Sequence, residues 1–484
     1  MTFAAQTRAA NPAPSATFTS IATNATTASG INAVANARNT ITSYGNYQFA
    51  VFYDSDRYAN ISRRVIGANN WQTVRTPYQL ADNAGGAGIY NDHCHASIAI
   101  DGNAHLHMAF GMHNAHPMKY LISTELVTVG DWSATNFGAT AKWARQAPFD
   151  WDTRSDADPD RKFSYPELYN IPGSKDIIYS YRSAPVGGGS GNGDLPLVRY
   201  HADAPAAQKF TLNQVIDGDT SNVSAYTNNL VHDSQGRLLM SWVWRETADY
   251  LTNHDVLFAR SPDDGKSWYD AKGQLITHDV ATKPLAPGNV MPAVAIGQNN
   301  SLINSTTMAV DSQDRPLIAT WYAPHHADGD ETRQYMLDYF DGNEWKQSQI
   351  TQRPNEGGLK TGDNVREMGR PLLLVDQEDR ALVLMRDRAN GNKLTVAFSK
   401  DYQHWDFVDL VADNLGDFEP GSFDRALWDS QNKLNLFYQP IGVGSPVVSV
   451  LEWDAKAYFA AIPEPAGVSV CLMLCLGMTA RRRR

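Results

Sequence analysis

The sequence predicts an all-β protein folded as a single seven-bladed β-propeller. One pattern recurs along the 484 residues: an apolar run, a turn built from Asp, Ser, Asn or Gly, then a second apolar run. It reads "IAIDGNAHLHMAF" (98–110), "LYNIPGSKDIIYSYR" (168–182), "LVHDSQGRLLMSWVWR" (230–245), "MAVDSQDRPLIATWYA" (308–323), "LLVDQEDRALVLMR" (373–386) and "ALWDSQNKLNLFYQ" (426–439). Each copy is a strand, a tight turn and a strand, because those turn residues tolerate turn backbone angles and bond their own backbone. The turns repeat every 53 to 78 residues, and "YQFAVFYDSD" (47–56) supplies a seventh unit before the first. That interval fits a four-stranded blade, whereas a β-sandwich would place turns about 8–12 residues apart. The 12 Trp and 21 Tyr agree, since aromatics favour strands and also line carbohydrate clefts.

"SPDDGKSW" (261–268) adds a local signature. Asp263 is placed to bond backbone groups, Gly265 to take a glycine conformation and Trp268 to plug the blade. The motif resembles the Asp-box of sialidase-like propellers, and "SKDYQHW" (399–405) is a copy without the glycine. It speaks for the fold and is silent about chemistry.

Three segments are expected. Residues 1–45, rich in Ala, Thr, Ser and Asn, read as a low-complexity arm with no signal-peptide pattern. Residues 46–458 are the propeller. Residues 459–484 are a tail containing Pro463-Glu464-Pro465, an apolar run from Ala466 to Ala480, and Arg481 to Arg484. Such a run is shorter than the ~20 residues that span a bilayer. The tail resembles the bacterial PEP-CTERM sorting signal. That resemblance implies export, a cell-surface or extracellular location, transient membrane contact through the tail alone, and a processing enzyme as partner. A true start upstream of Met1 is then expected.

The net charge of −11 argues against a nucleic-acid partner but leaves room for a local basic patch facing a polyanionic glycan. Of three cysteines, Cys94, Cys471 and Cys475, only Cys94 lies in the propeller, so no disulfide framework is expected. A monomer is expected.

Six of the 13 histidines crowd into Asn91–Tyr120. His105 and His107 share one face of a strand, as do His93 and His95 before the preceding strand. Folding Ile98–Phe110 as a hairpin brings His93 and His113 together at one end, and these two are read as functional. His95, His105, His107 and His116 are read as polar blade residues bonded to backbone. Tyr165 precedes a proline and is expected to be extended. Arg182 ends a strand before the Gly-rich loop Gly187–Gly193, and Arg245 ends another, followed by Asn253 and His254. His, Tyr and Arg together suit β-elimination from a uronate: a cation neutralises the carboxylate, a base takes the proton beside it, and an acid protonates the leaving oxygen. A glycoside hydrolase would need two carboxyl groups instead; Glu167, Glu246 and Glu367 are available but unpaired by sequence.

The segments "NDHCHASIAIDGNAHLHMAFGMHN", "SYPELYNIPGSKDIIYSYRS", "WVWRET", "NHDVLFARSPDDGKSW", "SLINSTTMAVDSQDRP" and "LGDFEPGSFDRALW" resemble, in order, the BNR-repeat family that includes seven-bladed ulvan lyases. The resemblance implies catalytic histidines at His93 and His113, a catalytic tyrosine at Tyr165, a carboxylate-neutralising arginine at Arg182 and a substrate-binding arginine at Arg245. Asn253 and His254 join the expected substrate-binding set. Cys94 and His95 depart from the family pattern. No second cysteine stands before Cys471 to match the family's cysteine–histidine metal site, and adjacent His325 and His326 rarely share an ion. No cofactor is expected; structural Ca or Zn is unsupported. The expected function is lyase cleavage of a rhamnose–glucuronate glycan. The alternatives are an α-L-rhamnosidase-type hydrolase and a non-catalytic glycan-binding propeller.

Overall fold

The computed structural model describes residues 13–27, 30–80, 93–114, 119–123, 125–128, 132, 161–185, 190–205, 208–354 and 367–462. Their strands form seven antiparallel sheets, the blades. Blades 1 to 6 span residues 41–79, 96–122, 162–216, 224–277, 307–349 and 372–411. The first strand of each blade faces the central channel: Ile41–Tyr44, Ala96–Ile100, Lys162–Asn170, Ser224–His232, Thr307–Val310 and Leu372–Val375.

A blade is covered on both faces by its neighbours, so both faces must be apolar. Leu238–Arg245, "LLMSWVWR", is accordingly buried at every position but the last. Apolar clusters fill the gaps between blades: Ile98 and Leu106 pack on Phe49 and Ile61 between blades 1 and 2, and Trp242 and Trp268 pack on Leu197 and Val215 between blades 3 and 4. The turns of blades 4, 5 and 6 are also latched. Ser234 bonds Asp314 through N and Oγ at 2.8 and 2.9 Å, and Ser312 bonds Asp379 in the same way at 2.7 and 2.6 Å.

The arm expected over residues 1–45 is, in its described part, built into the propeller. Thr17–Ala22 is the outer strand of blade 7 and pairs with Val448–Asp454, closing the ring with both ends of the chain. Its burial alternates, with Thr19 and Ile21 inward, and Thr19 Oγ1 donates to Glu452 Oε2 at 3.0 Å. Residues 31–38 then cross the channel. Small side chains fit there because the backbones nearly touch: a Cβ on Gly421 would lie 2.5 Å from Val34 O. What reads as low complexity is close packing.

A second correction concerns 426–439. The turn is preceded by a helix, α1 (Arg425–Gln431), rather than a strand. Asp424 caps its first turn, Asn432 ends it at φ +51°, and Trp428 is its buried anchor. Lys433–Tyr438 and Val448–Asp454 follow, and with Thr17–Ala22 they make blade 7 a three-stranded sheet. A final helix, α2 (Ala455–Ala461), packs beside them. No helix among the described residues is long and apolar enough to cross a membrane. The expected sorting tail from Pro463 onward, Cys471, Cys475 and His116 lie outside the described residues.

The Asp-box forms as its residue types dictate. Asp263 Oδ1 accepts from Ser261 Oγ and Ser267 N at 2.9 and 2.8 Å. Gly265 sits at φ +93°, and buried Trp268 donates to Gly265 O at 2.9 Å. In the copy at 399–405, Tyr402 takes the positive φ, +60°, that glycine would have made cheap.

Candidate active site

The inner strands start at one mouth of the channel, and the predicted residues gather there. His93 and His113 stand at the two ends of the blade 2 hairpin, whose register pairs Ala96 with Phe110. Their rings stack with centroids 4.5 Å apart and planes 17° apart. Tyr165 meets His93 edge-on at 5.9 Å and lies 5.5 Å from His113. Its hydroxyl is 3.5 Å from His113 Nε2.

Tyr165 is not extended. It sits at φ +55°, where the pairing of Lys162–Asn170 with Ile177–Ala184 slips between Ser180 and Arg182. The slip gives the inner strand an extra residue, a β-bulge, and re-aims the phenol into the mouth. A positive φ on a tyrosine costs on the order of 1–3 kcal/mol, and such strain gathers at functional sites.

Arg182 lies beneath the tyrosines, its guanidinium carbon 4.8 Å from the Tyr165 ring centroid. It is 4% exposed. It donates to Tyr226 Oη at 2.9 Å, Asn114 Oδ1 at 2.9 Å and Ser164 Oγ at 3.1 Å. These acceptors are hydroxyl and amide oxygens, so among the described residues no carboxylate meets its charge. Gly193 makes room for it: a Cβ there would meet Arg182 Cδ at 2.6 Å. In this part of the Gly-rich loop, glycine serves a side chain of the site. Arg245 reaches the other side of Tyr226, 5.3 Å from its ring centroid, and bonds the carbonyls of Thr247 and Ala248.

Sequence reasoning missed Tyr226, Asn114, Ser164 and Arg370. Tyr226 is the third residue of the blade 4 inner strand and contacts Tyr165 at 5.8 Å between centroids. Arg370 stands just before the blade 6 inner strand and grips buried Glu419 at 3.2 Å. Their signal is positional, since His93, Tyr165, Tyr226 and Arg370 all lie at or before the start of an inner strand.

Burial first, and then the charges of Arg370, Arg182 and Arg245, hold the His93 pKa down to about 4. Burial and the charge of His93 hold His113 down to about 2. Both imidazoles are therefore neutral at neutral pH. Burial raises the Tyr165 phenol despite the arginines, so it keeps its proton. For Tyr226 burial acts upward, but Arg182 and Arg245 outweigh it and the net shift is downward.

Two expected substrate-binding residues are differently placed. Asn253 is 1% exposed and spends its amide on Leu302 O at 2.8 Å and Asn304 at 3.2 Å. It joins blade 4 to the following loop. His254 lies between Asp255 Oδ2 at 3.0 Å and Glu246 Oε1 at 3.4 Å. Of the other histidines, His105 bonds Ser123 O at 2.8 Å, and buried His107 bridges Tyr120 Oη at 2.7 Å and Asp101 Oδ2 at 3.2 Å. His95 is fully buried, and among the described residues neither ring nitrogen has a hydrogen-bond partner, whereas a backbone bond was expected. Cys94 is buried, and burial pushes its thiol up to about 12. His325 and His326 face Asp328 and Glu331. Among the described residues no three His, Cys, Asp or Glu side chains converge as a metal site.

The site thus offers a neutral imidazole pair, a protonated phenol and a buried cation within one cluster, a set suited to moving protons at a carbon next to a carboxylate.

Solved structures share this fold. A polysaccharide lyase described as the PL25-Ulvanlyase superposes with a TM-score of 0.64 at 14% identity, covering 92% of this chain and 99% of that one. The same protein bound to -[GlcA(1-4)Rha3S]- gives 0.62 at 14% identity over 92% and 99%. The polysaccharide lyase Uly1 gives 0.57 at 16% identity over 86% and 90%. No curated protein matches the chain. The family model described as "BNR repeat-containing family member" matches residues 47–353, and the chain belongs to that family.

Proposed function

We propose that the protein is a polysaccharide lyase that cleaves a uronate-containing, rhamnose–glucuronate glycan by β-elimination. The observation that carries this reading is the stacked His93–His113 pair with the Tyr165 hydroxyl 3.5 Å from His113 Nε2, set over the buried guanidinium of Arg182. Its likeness in fold to a lyase bound to a glucuronate–rhamnose 3-sulfate chain supports the same substrate class.

His93 takes the C5 proton of the uronate. The electron pair forms the C4–C5 double bond as the C4–O bond breaks, and Tyr165 protonates the departing oxygen. His113 orients the substrate and the phenol. Arg182, too buried to clasp a carboxylate from outside, stabilises negative charge through Tyr165 and Tyr226. Arg245, half-buried and bonded to the carbonyls of Thr247 and Ala248, binds the uronate carboxylate. A bound carboxylate offsets the arginines that depress His93, which makes the imidazole a stronger base once substrate is present. The carboxylates near the channel are engaged by arginines, Glu167 by Arg38 at 2.7 Å and Glu419 by Arg370. Among the described residues these two carboxylates are therefore not a free pair for hydrolysis of the two-carboxyl kind. The apolar run and arginine cap of the tail support export and a brief stay at the membrane.

The test is ultraviolet absorbance of an unsaturated uronate during incubation with rhamnose–glucuronate glycans. A rise lost in His93→Ala and Arg182→Ala is expected. Released rhamnose with a flat trace would make the protein a hydrolase, and no release at all a binding propeller.

A further inference from the structure

The channel has a second mouth. The inner strand that presents Tyr165 ends at Asn170, about 16 Å further on at the ~3.3 Å rise of a strand residue. There a cavity of 230 Å³ opens, walled by Ile41, Ile98, Leu168, Leu230 and Phe423 from five blades. Asn39 closes it off from the channel: its side chain donates to Leu168 O at 2.8 Å, and its carbonyl accepts from Ile98 N at 2.8 Å.

Arg425 and Asp429, one turn apart on α1, border the same cavity with His232. The Arg425 guanidinium lies over the Phe423 ring, 5.1 Å from its centroid. It forms no hydrogen bond or ion pair among the described residues, and Asp429 likewise forms no ion pair there. His232 Nε2 is buried and has no hydrogen-bond partner among the described residues. Burial, then the charge of Arg425, holds His232 down to about 4, so its ring is neutral. An apolar bowl with a few convergent polar groups is what a small-ligand site looks like. The mechanism above uses none of these residues.

We propose that this cavity is a second, non-catalytic glycan site that takes one anionic pyranose, a sugar ring bearing a carboxylate or a sulfate ester. The apolar edge of the ring lies on the Ile and Leu walls, the anion pairs with Arg425, and ring hydroxyls bond Asp429 and His232. Holding the polymer there raises its effective concentration at the catalytic mouth. The choice of an acidic sugar rests on the proposed substrate class; the site itself does not.

The experiment is saturation-transfer NMR on the full chain with glucuronate, glucose 3-sulfate and glucose as separate probes. Both anions should bind in preference to glucose. Arg425→Gln should weaken at least one anion tenfold or more, and Leu230→Trp, which fills the bowl, should do the same. Turnover of a short soluble oligosaccharide by Arg425→Gln should stay at the wild-type level, while KM for the polymer rises several-fold. Anion binding unchanged in both variants, or no preference over glucose, would overturn the proposal. Binding is read without turnover, so this result stands apart from whether the protein is a lyase.

Discussion

The histidine-rich stretch contains two pairs that one hairpin sends to different fates. His93 and His113 stack at the channel mouth among arginines, with their basicity suppressed. His105 and His107 lie further along the same hairpin, bonded to Ser123 O and to Asp101 and Tyr120. The residue type is the same and the partners differ. A histidine whose nitrogens are spent on fixed acceptors holds the fold, whereas one facing another imidazole, a phenol and arginines can move a proton. Surroundings, and not the clustering itself, separate the two.

The sharpest way to break that comparison is to remove one histidine from each pair. His93→Ala should lower kcat/KM on the glycan by about 10²- to 10⁴-fold and leave the melting temperature within a few degrees of wild type. His107→Ala should do the reverse. It removes the His107 ring from Asp101 Oδ2, on a carboxylate that is 0% exposed and whose Oδ1 keeps its bonds from Asn103 N and His105 N. Leaving a buried polar atom without its partner costs about 1–3 kcal/mol, visible as a lower denaturant midpoint, while kcat per folded molecule holds. If His107→Ala stays stable and loses turnover, the division is wrong.

Much of this was legible in the sequence. The blade repeat follows from turn chemistry and apolar runs, and the meeting of His93 with His113 follows from hairpin register. The Tyr165 bulge was not legible, because a bulge is set by how a strand pairs with its neighbour, and Tyr-Pro alone suggests extended backbone. The channel-crossing segment was hidden for a related reason. Its small residues fit a gap formed by distant blades, and locally they look like filler. The 425–431 helix came from a cap, Asp424, that lies outside the repeated pattern.

Gly193→Ala probes the mouth indirectly. The new Cβ would press on Arg182 Cδ and Cγ at 2.6 and 2.7 Å and on Ser224 Oγ at 2.8 Å, so the guanidinium must shift. A displacement of about 1 Å far from the chemistry can cost about 10²-fold. A loss of roughly tenfold to a hundredfold in kcat is expected by steady-state kinetics, with little change in His107-dependent stability.

The pH response sharpens the comparison further. His93 and His113 have folded pKa values below their ordinary 6.5, so the unfolded chain binds protons that the folded one does not. Stability from these groups is fully present above about pH 6.5 and is lost as pH falls toward about 4 for His93 and toward about 2 for His113. Thermal melts across that window should show it, and His113→Phe should flatten the slope. The acid limb of kcat/KM should fall near pH 4, and that of kcat should lie higher, because bound carboxylate restores basicity to His93.

The smallest effect belongs to His105. Its Nδ1 meets Ser123 O at 2.8 Å, but Ser123 is already fixed, accepting Leu106 N at Oγ and donating its own N–H to Leu106 O. Losing one neutral hydrogen bond at a half-buried site costs about 0.5–1.5 kcal/mol. His105→Ala should therefore shift the denaturant midpoint slightly and leave kcat and KM unchanged. Its value lies in what a larger effect would mean. If His105→Ala matched His93→Ala in lost turnover while remaining folded, the four histidines would act as one unit, and charge or proton movement would have to run the length of the hairpin rather than stop at its mouth.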